Sequence, residues 1–108
     1  MTLTTIKMTE NLKKTRENIV FIGGKPFINY VTGVVMQFTT NNAVKVIIKS
    51  RGKFIGKAVD VAEIARRKFL ADKNISVEDV KIGSEKFENK EGKSINVSTM
   101  EIILKRNP

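Results

Sequence analysis

Apolar and polar positions divide the 108-residue chain into segments of two kinds. In two segments, residues 27–38 and 55–70, apolar residues recur three or four positions apart, which is typical of helices. Segments with apolar residues in a compact run or at alternate positions are typical of strands, and they are residues 18–22, 44–49, 75–87 and 95–104. The resulting order, βαβαββ, predicts an α+β fold with two layers, in which two helices cover one face of a four-stranded sheet.

The same periodicity predicts which side chains face the core. Phe69 is predicted to face the core, and it has a second interpretation as an exposed apolar side chain between subunits. The third strand is predicted to break near Glu78 and Asp79, and residues 89–92 form a turn signal. The predicted inward positions of the helices and of the second and last strands are Phe27, Ile28, Val31, Val34, Val35, Phe38, Val44, Val46, Ile48, Ile55, Ala58, Val59, Ala62, Ala65, Phe69, Met100, Ile102 and Leu104.

The chain is predicted to contain one folded domain. Residues 1–17 are polar and rich in Thr and Lys, so we expect a flexible tail there, followed by a single domain over residues 18–108. No apolar run is long enough to span a bilayer, and the N-terminus lacks the apolar core of a secretory signal. The sequence therefore predicts a cytoplasmic protein with no membrane partner.

The chain contains neither cysteine nor histidine. Without thiols it can form no disulfide, thiolate zinc site or thiol nucleophile. Without imidazole it lacks the usual general base near neutral pH and the commonest metal ligand. We therefore expect no catalytic residues, no metal site and no cofactor.

Charge is unevenly distributed along the chain. Lys and Arg total 20 against 11 Asp and Glu, a formal net charge of +9. Residues 18–59 contain no acid, whereas bases and acids nearly cancel from Asp60 onward. An acid-free stretch of this length favours a surface that binds a polyanion such as nucleic acid, although an incidentally basic composition would look similar. The cations of residues 18–59 are Lys25, Lys45, Lys49, Arg51, Lys53 and Lys57.

Two basic turns occur where a predicted strand passes into a helix. The first is Gly23-Gly24-Lys25-Pro26, and the second is Lys49-Ser50-Arg51-Gly52-Lys53, with Lys57 shortly after. Because the first two strands of a βαβ unit run parallel, both turns are expected at one end of the sheet, with no carboxylate between them. Free N–H groups and basic side chains there suit phosphate. The alternatives are an ordinary strand-to-helix turn for the first and a solvated loop for the second. The glycine spacing of the first turn fits neither a P-loop nor a dinucleotide-binding motif.

The hairpin tip over residues 86–94 is a third candidate. Lys90 and Lys93 could contact the walls of a nucleic-acid groove, but neighbouring glutamates keep a solvated turn as an alternative. The cluster Arg66-Arg67-Lys68 stabilises a helix C-terminus by default, and Glu63 lies at helical spacing from Arg67.

These stretches together resemble the archaeal chromatin protein family Alba. The matching blocks are IGGKPFINYV (residues 22–31), VIIKSRGKFIGKAVDVAEIARRKF (residues 46–69), and KIGSE with VSTMEIIL (residues 81–85 and 97–104). The resemblance covers nearly all of residues 18–105. It implies a fold like the C-terminal domain of translation initiation factor three, with a mixed sheet and an antiparallel last strand.

The resemblance also implies a homodimer that coats and compacts double-stranded DNA with little sequence preference, binds RNA, and occupies the chromosome (nucleoid) in the cytoplasm. A paralogous chain is a candidate heterodimer partner. Phe69 matches the aromatic position through which dimers stack side by side on DNA. Gly24 stands where many relatives carry the first of two adjacent lysines, which leaves Lys25 as the acetylation candidate. The implied nucleic-acid-binding residues are Gly24, Lys25, Arg51, Lys53, Lys57, Lys90 and Lys93.

Two other functions remain open at this point. An RNA-directed protein or ribonucleoprotein subunit would also present a basic face to phosphates. A protein-interaction module could bind acidic partners through the same cations.

Overall fold

The computed structural model describes residues 18–108, which form one four-stranded sheet and two helices. The helices are α1 (Phe27–Phe38) and α2 (Ile55–Ile64). A 3₁₀ turn over Gly52–Phe54 precedes α2, a π-helical turn over Ala65–Phe69 continues it, and a second 3₁₀ turn spans Ala71–Lys73. The strands are β1 (Ile19–Phe21), β2 (Lys45–Arg51), β3 (Ile75–Glu88) and β4 (Ser94–Arg106).

The predicted α+β fold and its βαβαββ order are confirmed. The strand order is β1-β2-β4-β3, with β1 and β2 parallel and the remaining pairs antiparallel. The tail predicted over residues 1–17 lies outside the described residues. No helix within residues 18–108 is long and apolar enough to cross a membrane.

The core lies between the helices and the side of the sheet that faces them. In α2 the buried residues are spaced i, i+3 and i+4 and continue into the π-helical turn, so they form one stripe. In β2 and β4 alternate residues point inward, as predicted for Val46, Ile48, Ile102 and Leu104. The largest fully buried side chains include Phe38, Ile48, Leu70 and Leu104.

Several predicted core positions are wrong. Val59 is 41% exposed because the buried face of α2 is rotated relative to the predicted one. This face includes Val61, which the prediction omitted. Val44 is exposed because β2 begins one residue later, so the alternation does not hold it inward. Phe27 and Ile28 are exposed at the start of α1, and Phe69 is 53% exposed, which agrees with its second interpretation as far as exposure is concerned.

The break predicted in the third strand is a β-bulge. Val77 pairs with Leu104 and Asp79 with Ile103, so Glu78 is an extra residue. Its carboxylate lies 3.0 Å from the Lys45 ammonium, at the end of the sheet where β2 begins.

Candidate nucleic-acid interface

The two basic turns lie side by side, as the parallel pairing of β1 and β2 predicts. We call residues 23–26 the first loop and residues 51–53 the second loop. Phe21 pairs with Lys49, and the Ile22 N–H donates a hydrogen bond to the Lys49 carbonyl (2.9 Å). Both loops therefore leave the sheet at the carboxyl ends of β1 and β2.

Lys57 joins the first loop to the start of α2. Its Nζ donates hydrogen bonds to the carbonyl oxygens of Gly23 (2.7 Å) and Lys25 (2.6 Å). The same ammonium lies 4.9 Å from the ring centroid of Tyr30 and 5.8 Å from that of Phe54. The loop at Lys25 and the start of α2 are thus in hydrogen-bonding contact, although about thirty residues separate them in sequence.

Both helices begin at this end of the sheet with unneutralised dipoles. Neither α1 nor α2 has an acidic residue in its first turn, and no side chain within residues 18–108 caps either N-terminus. The positive end of each dipole and its free N–H groups are therefore available to an anion. Gly24 and Lys25 are exposed in the first loop, and a side chain at Gly24 would meet open space.

Arg51 extends away from the helices toward the hairpin. It is the last residue of β2 and alternates with the inward-facing Ser50, so its side chain lies on the sheet face that the helices leave uncovered. Its guanidinium lies 5.0 Å from the ring centroid of Phe87 and 3.7 Å from the carboxylate of Glu85. The second loop therefore connects the first loop to the base of the hairpin.

The expectation that no carboxylate accompanies these cations is wrong. Besides the Glu85 contact to Arg51, Glu101 lies 3.8 Å from the Lys49 ammonium. Both acids belong to β3 and β4, which follow the acid-free stretch in sequence but pair beside it in the sheet. Because these pairs are exposed, they are weak, and a phosphate can compete for either cation.

A two-stranded arm projects from the same end of the sheet. Arg51 is the last residue of β2 to pair with β4, and its partner is Thr99. Residues 84–88 and 94–98 pair only with each other and, with the turn between them, form what we call the hairpin arm. At about 3.3 Å a residue, the arm reaches roughly 16 Å beyond β2 before its tip begins.

The tip of the hairpin arm is an ordered turn. The Asn89 side-chain oxygen accepts hydrogen bonds from the N–H groups of Glu91 and Lys93, both at 3.0 Å. Gly92 has a φ of +81°, which favours glycine there. Lys90 and Lys93 are exposed on this turn, well away from the first loop in the fold.

The structure thus groups most, but not all, of the predicted residues. Gly24, Lys25, Lys53 and Lys57 lie together around the two helix N-termini, and Arg51 lies beside them at the hairpin base. Lys90 and Lys93 lie at the far end of the arm. An open cleft of about 400 Å³ lies at this end of the sheet, and its lining includes Phe21, Lys49, Arg51, Glu85, Thr99 and Glu101.

Sequence reasoning missed the contacts that tie this end together. Glu85 and Phe87 were not among the candidate residues, yet both contact Arg51. Tyr30 was also missed, although its hydroxyl accepts a hydrogen bond from the Lys25 N–H (3.1 Å). The aromatic residue four positions after Pro26, on the first turns of a helix, is the only signal that could have suggested it.

A second surface feature lies on the other side of the molecule. An open groove of about 240 Å³ runs between α2 and the helix-facing side of β3, and Glu63 and Arg66 lie at its rim. Val80 is 47% exposed and Ile82 is 80% exposed, because the helix layer does not reach this edge strand. We call the groove between α2 and β3 the apolar groove, and its apolar lining is Val59, Ala62, Val77, Val80, Met100 and Ile102.

The rim of the apolar groove is charged. Glu63 accepts hydrogen bonds from Arg66 and from Arg67 (Nε to Oε1, 3.1 Å), which confirms the predicted spacing of Glu63 and Arg67. The hydrogen bond from Arg66 is the main reason that the pKa of Glu63 is lowered; burial opposes this effect and Arg67 adds to it. Glu63 is therefore ionised at neutral pH.

Within residues 18–108, no cluster of three or more acidic side chains is arranged to hold a metal ion. What the loops and the arm offer is a set of cations and free N–H groups at one end of the sheet. Such a set is chemically suited to phosphate groups.

Comparison with known proteins identifies similar chains. The family model Alba matches residues 18–84. A protein named DNA/RNA-binding protein Alba from Thermoplasma acidophilum is 54% identical over 90 residues, which cover 83% of this chain and 97% of that protein. One of the same name from Methanococcus maripaludis is 44% identical over 88 residues, covering 82% and 97%. The solved structure of Alba from Thermoplasma volcanium superposes with a TM-score of 0.75 at 53% identity, covering 82% of this chain and all of the other.

Proposed function

The chain belongs to the Alba family, and we propose that it binds double-stranded DNA through the phosphate backbone, with little sequence preference, and also binds RNA. The observation that carries this proposal is the convergence of the first loop, the second loop and the hairpin arm at one end of the sheet. Relatives of 44–54% identity bear the name DNA/RNA-binding protein, which supports the same function.

The proposed mechanism is the neutralisation of phosphates by fixed cations. Lys25 and Lys53 lie beside helix N-termini, so each ammonium and the adjoining free N–H groups attract the same anion. Neutralising a phosphate releases condensed counterions, so affinity falls as salt rises. The two loops present Lys, Arg, Gly and Pro rather than the Asn and Gln suited to reading adenine edges, which supports low sequence preference.

A salt titration with competing nucleic acids tests this function. We expect binding to duplex DNA of unrelated sequences with similar affinity, a steep linear fall of log affinity with log salt, and measurable binding to RNA. A strong preference for one structured RNA over duplex DNA at matched salt would instead favour the RNA-directed alternative. Failure to bind either polymer at low salt would contradict the proposal.

The Arg51–Glu85 pair gives a prediction about competition at the interface. Replacing Glu85 with Gln is expected to tighten DNA binding by roughly twofold to fivefold at low salt, the range of an exposed ion pair. The reason is that the carboxylate competes with phosphate for Arg51 and repels it. Fluorescence anisotropy with a labelled duplex measures the effect.

The matched control for that measurement is Glu78→Gln. Glu78 also pairs with a lysine, Lys45, but at the opposite end of the sheet. Its replacement should leave affinity within about twofold of the unmodified protein. Equal tightening by both variants would mean that overall net charge, not the position of Glu85, determines affinity.

We propose that the protein acts as a homodimer whose interface is the apolar groove. Large exposed apolar patches mark interaction sites, and this one combines half-exposed valines on β3 with a charged rim that can pair across a two-fold axis. A second copy would cover Val80 and Ile82 and would double the number of cations that face nucleic acid.

Phe69 supports a further proposal, side-by-side contact between dimers on DNA. Phe69→Ala is expected to leave the affinity of one dimer for a short duplex unchanged while reducing cooperative coating of long DNA, because its exposed ring lies on the π-helical turn, away from both loops. Binding isotherms on short and long duplexes measure the two quantities. Met36→Ala, at a similarly exposed position on α1, is the control, and unchanged cooperativity in Phe69→Ala would remove this role.

Cellular placement follows from the proposed ligand. A DNA-coating protein of this kind would occupy the chromosome in the cytoplasm and compact it. Lys25 is exposed, so acetylation there would remove one cation from the interface. A paralogous chain with a similar groove would be able to replace the second copy.

A further inference from the structure

The first loop is held in one conformation by two side chains from the helices. Lys57, near the start of α2, donates hydrogen bonds to the carbonyls of Gly23 and Lys25 at 2.7 and 2.6 Å. Tyr30, on α1, accepts a hydrogen bond from the Lys25 N–H at 3.1 Å. The Tyr30 hydroxyl would lie 3.3 Å from a Cβ at Gly23, so it packs closely against the loop. Three main-chain groups of one short loop are therefore bound from the protein side.

The Lys57 ammonium is committed to these contacts. An ammonium has three N–H donors, and two of them are used by the carbonyls. The ring faces of Tyr30 and Phe54 lie within 4.9 and 5.8 Å of it, and the side chain is half-buried. Lys53 differs, because its side chain is exposed at the surface of the second loop. Only one Lys57 donor is left for a phosphate, and a shift of the ammonium toward solvent would break the contacts that hold the first loop.

The direction of these hydrogen bonds matters for an anion. A carbonyl oxygen repels phosphate, and both carbonyls are turned toward Lys57. In a planar trans peptide the N–H points opposite to the C=O, so the Gly24 N–H points away from Lys57. Lys57 thus engages two carbonyls of the first loop, and the Gly24 N–H points the opposite way, beside the exposed side chain of Lys25.

We infer that Lys57 is a positioning residue that, together with Tyr30, sets the first loop for phosphate and acts on nucleic-acid binding through Lys25 rather than by its own contact. This inference rests on the proposed function, in which Lys25 contacts phosphate. It also reassigns Lys57 from the set of direct contacts that the family resemblance implied.

A double-mutant cycle on duplex DNA separates the two roles. Lys57→Met is expected to weaken binding about as much as Lys25→Ala does, and to lower the salt slope by a similar amount. In the Lys25→Ala background, Lys57→Met is expected to change affinity by no more than about twofold, because the contact it positions is already gone. A further loss equal to the single-variant effect, with a further fall in salt slope, would show direct phosphate contact and overturn the inference.

Lys53→Met is the matched control. It removes the same charge four residues before Lys57, yet its side chain makes no hydrogen bond to the first loop among the described residues. Its effect and that of Lys25→Ala are expected to multiply. The inference requires that the fold losses of affinity multiply when Lys25→Ala is combined with Lys53→Met. It also requires that they do not multiply when Lys25→Ala is combined with Lys57→Met.

The loop conformation is also measured without nucleic acid. In the free protein, Lys57→Met is expected to accelerate hydrogen exchange of the Lys25 amide by roughly threefold to tenfold, the range given by the net stability of one hydrogen bond. Tyr30 is the sole tyrosine and the chain has no tryptophan, so intrinsic fluorescence reports on this one ring and should change as well. Unchanged exchange and unchanged fluorescence would overturn the inference.

A variant that keeps every charge guards against a folding defect in Lys57→Met. Tyr30→Phe removes only the hydroxyl that accepts the Lys25 N–H. It is expected to accelerate the same amide and to weaken DNA binding only when Lys25 is present. An effect of equal size in the Lys25→Ala background would count against the inference. If instead Lys25→Ala and Lys53→Met both leave DNA binding unchanged, the proposed function fails, while the exchange measurement still decides whether Lys57 holds the loop.

Discussion

Replacing Lys25 and Lys53 together with alanine is expected to lower affinity for duplex DNA by about three to four orders of magnitude at 0.1 M salt. Each phosphate contact contributes about 0.9 to the slope of log affinity against log salt, and a dimer would lose four such contacts. The slope should therefore fall by about 3.6. Titrations at several salt concentrations measure the slope and the affinity together.

The control for that prediction removes the same charge elsewhere. Lys45 and Lys105 both approach Glu78 at the opposite end of the sheet. Replacing both with alanine should change the salt slope little, because neither lies near the loops or the arm. An equal loss in the two double variants would show that binding follows net charge and that the proposed interface is not the binding surface.

The reciprocal change adds a cation at the interface. Gly24→Lys is expected to raise the slope by about 0.9 for each chain, since the loop is exposed and the new side chain would meet open space. A gain at Gly24 together with a loss at Lys25 and Lys53 would localise the phosphate contacts to the first and second loops.

Val80→Asp is expected to convert the protein from a dimer to a folded monomer and to halve the salt slope of DNA binding. A buried, unpaired carboxylate in the apolar groove would strongly destabilise an interface between two copies. The same carboxylate is tolerated by a single chain, because Val80 is 47% exposed there. Sedimentation equilibrium gives the mass, and thermal unfolding followed by circular dichroism shows whether the monomer remains folded.

Val44→Asp is the matched control for the dimer. Val44 is 59% exposed and lies just before β2, outside the residues that line the apolar groove. This variant is expected to remain dimeric and to bind DNA with the affinity of the unmodified protein. A monomeric unmodified protein, or a Val80→Asp protein that remains dimeric, would contradict the assignment of the groove.

The elements and much of the interface could be predicted because their causes are local or follow from simple topology. The spacing of Val31, Val34 and Phe38 sets the buried face of α1 wherever the helix packs. The parallel pairing of β1 and β2 forces both basic loops to one end of the sheet. Errors occurred at Val44 and Val59, where the exact end of a strand or the rotation of a helix decides exposure.

The sequence itself determined the order of elements, the acid-free stretch and the shared position of the two loops. Each of these depends on residues close together in the chain or on the connection between a strand and the helix that follows it. Only the tertiary structure decided which partners those cations have. Lys57 bonds main-chain oxygens 34 and 32 residues away, and such oxygens carry no sequence signal. Arg51 faces Glu85, and the arm projects beyond it, because β2 ends where β4 continues, a matter of strand register that no local pattern records.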